Sequence, residues 1–229
     1  MKPYIATDLR DMNRRTVYKL VSSVDKISKA EISRQTGISA PTVIKIVNFL
    51  LEKDILIEVG DGDSAIGRKP QMLVFNPDAA FSIGAYYEGD YLRLGIVNLA
   101  GNVIYLKETQ IATDFKTIMM GEIAKYIKDL INDSGIEPKK ILGLGIGIPG
   151  VIDSQNKIIR LAPLIGIDDP VEFDQVFKVL FDELNIPIFI ENDVNAAAVG
   201  EYVGRKFETD RDLAYISLGT GLGAGIILD

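Results

Sequence analysis

The side chains best placed for chemistry fall in the run IENDVNAAAVGEY, where Glu191, Asn192, Asp193 and Asn195 crowd together. The apolar stretch IPIFI precedes them and small residues come after, so a strand is predicted to end and a helix to begin here, with Asp193 near the positive end of the helix dipole. Carboxylates and amides gathered at such a point can bind a hydroxylated ligand or take a proton from a hydroxyl. A helix cap alone accounts for Asn192 or Asp193. It does not account for four polar side chains at one strand end, the place where open sheets of this kind bind ligands. Two glycine-rich runs could assist. GLGIGIPG, with Gly143, Gly145, Gly147 and Gly150, permits close approach at a strand end, by a ligand or equally by packed backbone. SLGTGLGAG, residues 217–225 with Thr220, reads either as a phosphate-cradling turn or as a hairpin between two buried strands.

Other chemistries are closed. The sequence contains no histidine and no cysteine, which excludes disulfides, thiolate metal sites, imidazole bases and a Ser-His-Asp triad. No metal and no cofactor is expected.

Residues 29–59, KAEISRQTGISAPTVIKIVNFLLEKDILIEV, suggest recognition rather than catalysis. Ile32, Ile38, Val43, Ile46, Val47, Leu50 and Leu51 repeat at helical spacing on either side of Gly37, whose missing Cβ suits a tight turn. Ser39 is a candidate cap for the second helix, with Pro41 tolerated in its first turn. That helix would turn Ala40, Thr42, Lys45 and Asn48 away from the core, a set able to read base edges in a major groove. An ordinary helical hairpin would carry the same pattern. The segment after this helix favours DNA: a strand at 55–59, the polar turn GDGDSAIGRKP and a returning strand QMLVF would form a β-hairpin wing with Arg68 and Lys69 at its base. The candidates for base contact are therefore Ser39, Thr42, Lys45 and Asn48, and those for phosphate or sugar are Arg34, Arg68 and Lys69.

These groups need two supporting units. Residues 8–24 are expected to form a first helix capped by Asp8, with Val17, Leu20, Val21 and Val24 on one face. After a boundary at NPDAA the pattern turns extended, giving strands FSIGAYYE, YLRLGIVN and NVIYLKETQI. An amphipathic helix over 114–133 buries Ile118, Ile123, Ile127, Leu130 and Ile131. Then come a strand in ILGLGIGIPG, a short excursion VIDSQNKII, a helix over 171–184, the strand IPIFIEN, a helix of small residues, and the strand LAYISLG. That order predicts a mixed α/β sheet covered by helices. Charge divides along the same line. Residues 1–77 hold 12 Lys plus Arg against 9 Asp plus Glu, and residues 78–229 hold 13 against 23. Only the amino-terminal part is suited to a polyanion. The longest uncharged stretch, residues 213–228, is interrupted by four glycines, so no membrane partner is expected and the cytoplasm is the expected compartment.

GIGIPGVID, FIENDVNAAAVGEY and ISLGTGLGAGIILD together resemble the signature stretches of the ROK family of repressors and sugar kinases. The resemblance covers residues from about 70 onward, and the preceding pattern with its IGRKP joint is similar to the NagC/XylR-type repressor branch. It implies a winged helix-turn-helix DNA-binding domain at 1–75 and an actin-like, ribonuclease-H-like sensor lobe at 76–229. It further implies a repressor of carbohydrate metabolism that binds a double-stranded operator as a dimer and senses a sugar or sugar phosphate through Glu191, Asn192 and Asp193. Where family kinases hold ATP phosphates on an Asp-x-Gly-Gly-Thr turn, this chain has Tyr86, Glu88, Gly89 and Asp90. A carboxylate-bearing turn repels a polyphosphate, so the chain is not expected to be an enzyme. Asp193 would be the catalytic base only in the alternative, an ATP-dependent sugar kinase with an accessory winged helix. A third alternative gives the first unit protein contacts only. Leu164 stands where the family tends to place an asparagine after Ala-Pro. Family members continue well beyond GAGIILD, so a second lobe is expected to be incomplete here.

Overall fold

The computed structural model describes residues 6–61, 71–88, 91–111, 118, 122–176, 178–205, 212–219 and 221–228. Arg68, Lys69 and the turn that carries them lie outside this set, as do Gly89, Asp90 and Thr220. The chain divides into two compact units, Met1–Ala79 and Ala80–Asp229.

The first unit is built on three helices, α1 (Ala6–Ser22), α2 (Lys29–Thr36) and α3 (Ala40–Glu52). Its antiparallel sheet comprises β1 (Ile27–Ser28), β2 (Leu56–Asp61) and β3 (Gln71–Phe75) in the order β1-β3-β2. Helical spacing places Val17, Val21, Ile32, Val43, Ile46, Val47 and Leu50 inward, where they meet Leu56 and Leu73 of the sheet in one buried cluster. Each such aliphatic side chain contributes about 1.5–3 kcal/mol when fully buried. Asp8 was expected as a cap but lies within the first turn of α1, which already runs at Ala6.

α2 and α3 are joined by a turn of three residues. Gly37 adopts φ 70°, and its N–H donates to the Ser33 carbonyl at 3.0 Å, closing α2 in a left-handed cap. The side-chain cap sits one helix earlier than expected. Ser28 Oγ accepts from Glu31 N at 3.2 Å, whereas Ser39 occupies the cap position of α3 without a side-chain cap bond. Its Oγ instead lies 3.0 Å from Thr42 Oγ1, and its carbonyl accepts from Thr42 N and Val43 N.

The second unit centres on a five-stranded mixed sheet of β4 (Phe81–Glu88), β5 (Tyr91–Asn98), β6 (Val103–Gln110), β7 (Ile141–Ile148) and β11 (Ile188–Asn192). The order is β11-β7-β4-β5-β6, parallel among the first three and antiparallel onward. Ile83, Ala85, Leu92, Leu94, Ile96, Leu144 and Ile146 share a core cluster with Ile118 and with Ile123, Ile127 and Leu130 of α4 (Ile123–Ser134). Ile131, expected in this stripe, is partly buried against it. A small sheet of β8 (Val151–Asp153), β9 (Ile158–Leu161) and β10 (Val171–Glu172) comes after β7.

The helix expected over 171–184 starts later. Val171 and Glu172 pair with Ile159 and Ile158 of β9, so helix begins only at Phe173, with α5 (Phe173–Val176) and α6 (Lys178–Leu184) on either side of residue 177, which lies outside the described set. A pairing with residues twelve and fourteen positions upstream competes with local helical preference and wins at the β-branched Val171. The unit ends with α7 (Asp193–Gly204) and an antiparallel hairpin of β12 (Leu213–Leu218) and β13 (Leu222–Ile227). Among the described residues no helix is long and apolar enough to cross a membrane.

Candidate functional site

On the first unit, α3 turns Val43, Ile46, Val47 and Leu50 inward. Its outer arc presents Ala40, Pro41, Ile44, Lys45 and Asn48 to solvent, with Thr42 half-buried beside Ser39. Lys45 and Asn48 are thus exposed as expected, Ser39 and Thr42 engage each other, and Ile44 adds an apolar side chain, 46% exposed, that sequence reasoning passed over. Arg34 is exposed but engaged. Its Nε donates to Glu31 Oε2 at 2.9 Å and its Nη2 to Glu31 Oε1, while Gln35 donates to the same carboxylate at 2.7 Å. These bonds, that from Arg34 foremost, hold the Glu31 carboxyl down to about 2 from its ordinary 4.5. Arg14 of α1 stacks over the Phe49 ring at 4.0 Å, a second cation fixed on this unit.

On the second unit, β11 ends and α7 begins at the acid-amide run. Glu191 Oε2 accepts from Ser154 Oγ at 2.6 Å, and its Oε1 from Asn192 N at 2.8 Å and Asn195 Nδ2 at 3.4 Å. Burial pushes the Glu191 carboxyl up, but these three bonds outweigh it and hold the group below its ordinary value. Asn192 is occupied structurally. Its Oδ1 caps α7 by accepting from Asn195 N at 2.9 Å, and its Nδ2 donates to the Gly150 carbonyl at 2.9 Å. Asp193 Oδ1 accepts from Val194 N at 2.9 Å, which leaves its second carboxylate oxygen able to accept from a ligand.

Beside this cap lies a cleft of about 550 Å³, lined among others by Tyr86, Arg93, Gly147, Glu191, Asp193 and Tyr215. Strand register explains the grouping, because Glu191, Gly147, Tyr86, Arg93 and Glu108 form one row across the sheet. Arg93 Nε pairs with Glu108 Oε1 at 2.8 Å. A Cβ on Gly147 would stand 3.4 Å from Asp193 Cα and 3.6 Å from the Tyr86 ring, so this glycine lets the α7 start lie close over β7. Of the three sugar-contact candidates, Glu191 and Asp193 line the cleft and Asn192 braces it from behind. Arg93, Tyr215 and the floor glycine Gly84 also line it, and sequence reasoning did not select them. The alternation that sends Leu92 and Leu94 inward already implied that Arg93 faces the other side.

SLGTGLGAG forms the β12–β13 hairpin, with Leu218 opposite Leu222. Two of its glycines seat a helix. A Cβ at Gly223 would fall 2.8 Å from Val194 Cγ2, and one at Gly225 2.6 Å from Ala198 Cβ. The strands are not both-faces buried, for Ile216, Leu218, Leu222 and Ile226 stand 68–85% exposed on the outer side.

Fold and cleft together define a mixed α/β domain of the sugar-kinase type following a small helix-rich unit. A Streptomyces griseus ROK family glucokinase, solved in complex with glucose and AMPPNP, superposes on 65% of this chain and 45% of its own at a TM-score of 0.51, with 27% identity. Residues 83–229 match the ROK family, and the chain belongs to it. A ROK family transcriptional regulator described as a homologue of the Escherichia coli MLC protein superposes on 96% of this chain at a TM-score of 0.77, with 21% identity and 55% of its own length covered. The xylose repressor of Bacillus subtilis (strain 168) is 30% identical over 223 residues, and that of Caldicellulosiruptor bescii 32% over 232 residues. Both alignments take in 97% of this chain but only 57% and 55% of the relative, so the chain spans little more than half the length of the curated relatives it matches.

Proposed function

We propose that this protein is a sugar-responsive, sequence-specific transcriptional repressor of carbohydrate metabolism. Its first unit acts as a winged helix-turn-helix that reads duplex DNA, and its second as an actin-like, ribonuclease-H-like sensor lobe rather than an enzyme. The observation that carries this reading is the α2–Gly37–α3 arrangement. A sharp left-handed turn delivers a helix whose outward arc bears Lys45 and Asn48, within a segment of net positive charge on an otherwise acidic chain. The repressor names of the relatives support it. Lys45, Asn48, Ser39 and Thr42 take the base-edge side in this reading, and Arg34, Arg68 and Lys69 the phosphate side. The effector is a sugar held by Glu191 and Asp193 over the cleft, with Asn192 setting the helix that carries Asp193, and xylose is the first candidate from the relatives' names. Operation as a dimer on a palindromic operator in the cytoplasm completes the proposal.

The test is selection of bound duplexes from a random DNA pool by the full chain, with and without a panel of sugars. Enrichment of one motif, weakened by one sugar, is expected. Recovery of no motif at low ionic strength would remove the DNA reading.

The likeness to a glucokinase favours a second reading, a sugar kinase with Asp193 as base. Tyr86 in place of the phosphate-turn aspartate argues against it, and magnesium-ATP turnover of glucose or xylose by the chain would reinstate it.

A further inference from the structure

The helix proposed to enter the groove exposes one large apolar side chain. Val43, Ile46, Val47 and Leu50 go inward, whereas Ile44 stands 46% exposed, the one such residue on α2 and α3. Local stability does not favour it there. A β-branched residue is a poorer helix former than alanine or lysine, and nearly half of this side chain is left in water. A lone exposed isoleucine is ordinary on a protein surface. Its position on the helix is what singles it out.

At 3.6 residues per turn, Ala40 and Asn48 lie about 40° to either side of Ile44, and Lys45 about 100° round from it. Ile44 and Asn48 therefore stack along the middle of the outward arc, with Lys45 on its flank. The neighbours on the side of the turn are small or engaged. Ala40 and Pro41 add little bulk, and the hydroxyls of Ser39 and Thr42 lie 3.0 Å apart, each the other's partner. The apolar patch is thus one side chain wide, far too small to hold a protein partner. It matches a single methyl group. The unit that carries it has net positive charge, which suits a duplex, and in the major groove thymine alone of the four bases displays a methyl, at C5.

We propose that Ile44 is a specificity-determining residue that reads thymine by packing against its C5-methyl group in the major groove. This rests on the duplex-reading proposal and deepens it, adding a contact of shape to the polar ones.

The test uses the duplex enriched from the random pool by the full chain, with each thymine replaced in turn by deoxyuridine, which pairs alike but lacks the methyl. Binding is read by fluorescence anisotropy for the unaltered chain and for Ile44→Ala. At one thymine per half-site the unaltered chain should lose affinity by about three- to ten-fold, the worth of one buried methyl group. Ile44→Ala should bind the thymine duplex more weakly by a similar factor and no longer distinguish uracil at that position. Its salt slope should be unchanged, since no phosphate contact is removed, and its melting temperature kept or raised, since alanine is the better helix former. Specific binding that is indifferent to every thymine methyl would overturn the proposal and leave the DNA reading intact. So would an Ile44→Ala variant that still discriminates thymine from uracil, or one whose only change is in self-association. Enrichment of no duplex by the unaltered chain would overturn the DNA reading and this one with it.

Discussion

Charge at single residues decides how the first unit could grip a duplex. Arg34 cannot neutralise a phosphate while it is held by Glu31, so the carboxylate acts as a competitor for the guanidinium. Glu31→Gln is therefore expected to strengthen binding to any duplex at low salt, read by fluorescence anisotropy. An unaltered affinity would place Arg34 outside the interface. The same pair has a pH signature. Because the Glu31 carboxyl is depressed to about 2 from 4.5, its contribution to stability is complete above about pH 4.5 and is lost as the pH falls towards 2. Arg34→Ala should return the Glu31 carboxyl towards its ordinary titration, followed by carboxyl-carbon chemical shifts. For Lys45, exposed on α3, replacement by alanine should weaken operator binding and lower the salt slope by about one if it meets a phosphate, or leave the slope nearly unchanged if it meets a base. A variant matching the parent in both affinity and slope would exclude it from the contact.

At the level of helices and strands, the two serines before α2 and α3 show what local pattern can and cannot say. Ser39 precedes proline and small residues and has the sequence signature of a cap, yet the bonded cap is Ser28. Ser28→Ala should cost about 1 kcal/mol and Ser39→Ala markedly less, measured by urea denaturation. Equal losses would contradict the geometry. The strands at 81–88, 91–98 and 103–110 were legible because each is rich in β-branched and aromatic residues, with turn residues between them. The short strand that opens the 171–184 segment was not, because it depends on β9 arriving alongside. Nor was the glycine floor, since Gly84, Gly95 and Gly145 become neighbours only through strand register. The acid-amide run was readable as a site, but which of its members are spent on capping depends on where Gly150 and Ser154 come to rest.

For the whole molecule, asymmetry of charge is the governing quantity. Residues 1–77 carry +3 and residues 78–229 carry −10, so duplex affinity should fall steeply between about 50 and 200 mM salt. Anisotropy titrations across the salt series check this. Family membership and the two-part division were both accessible from the sequence, because motif spacing and charge survive without coordinates. The seat of α7 on β13 also sets how the second unit can move. With Ala198 nested over Gly225 and Val194 over Gly223, the seam has no slack in which to absorb a displacement. A ligand that drew Asp193 towards itself would then be expected to carry the hairpin along, converting a tug at the helix start into a swing at its far end.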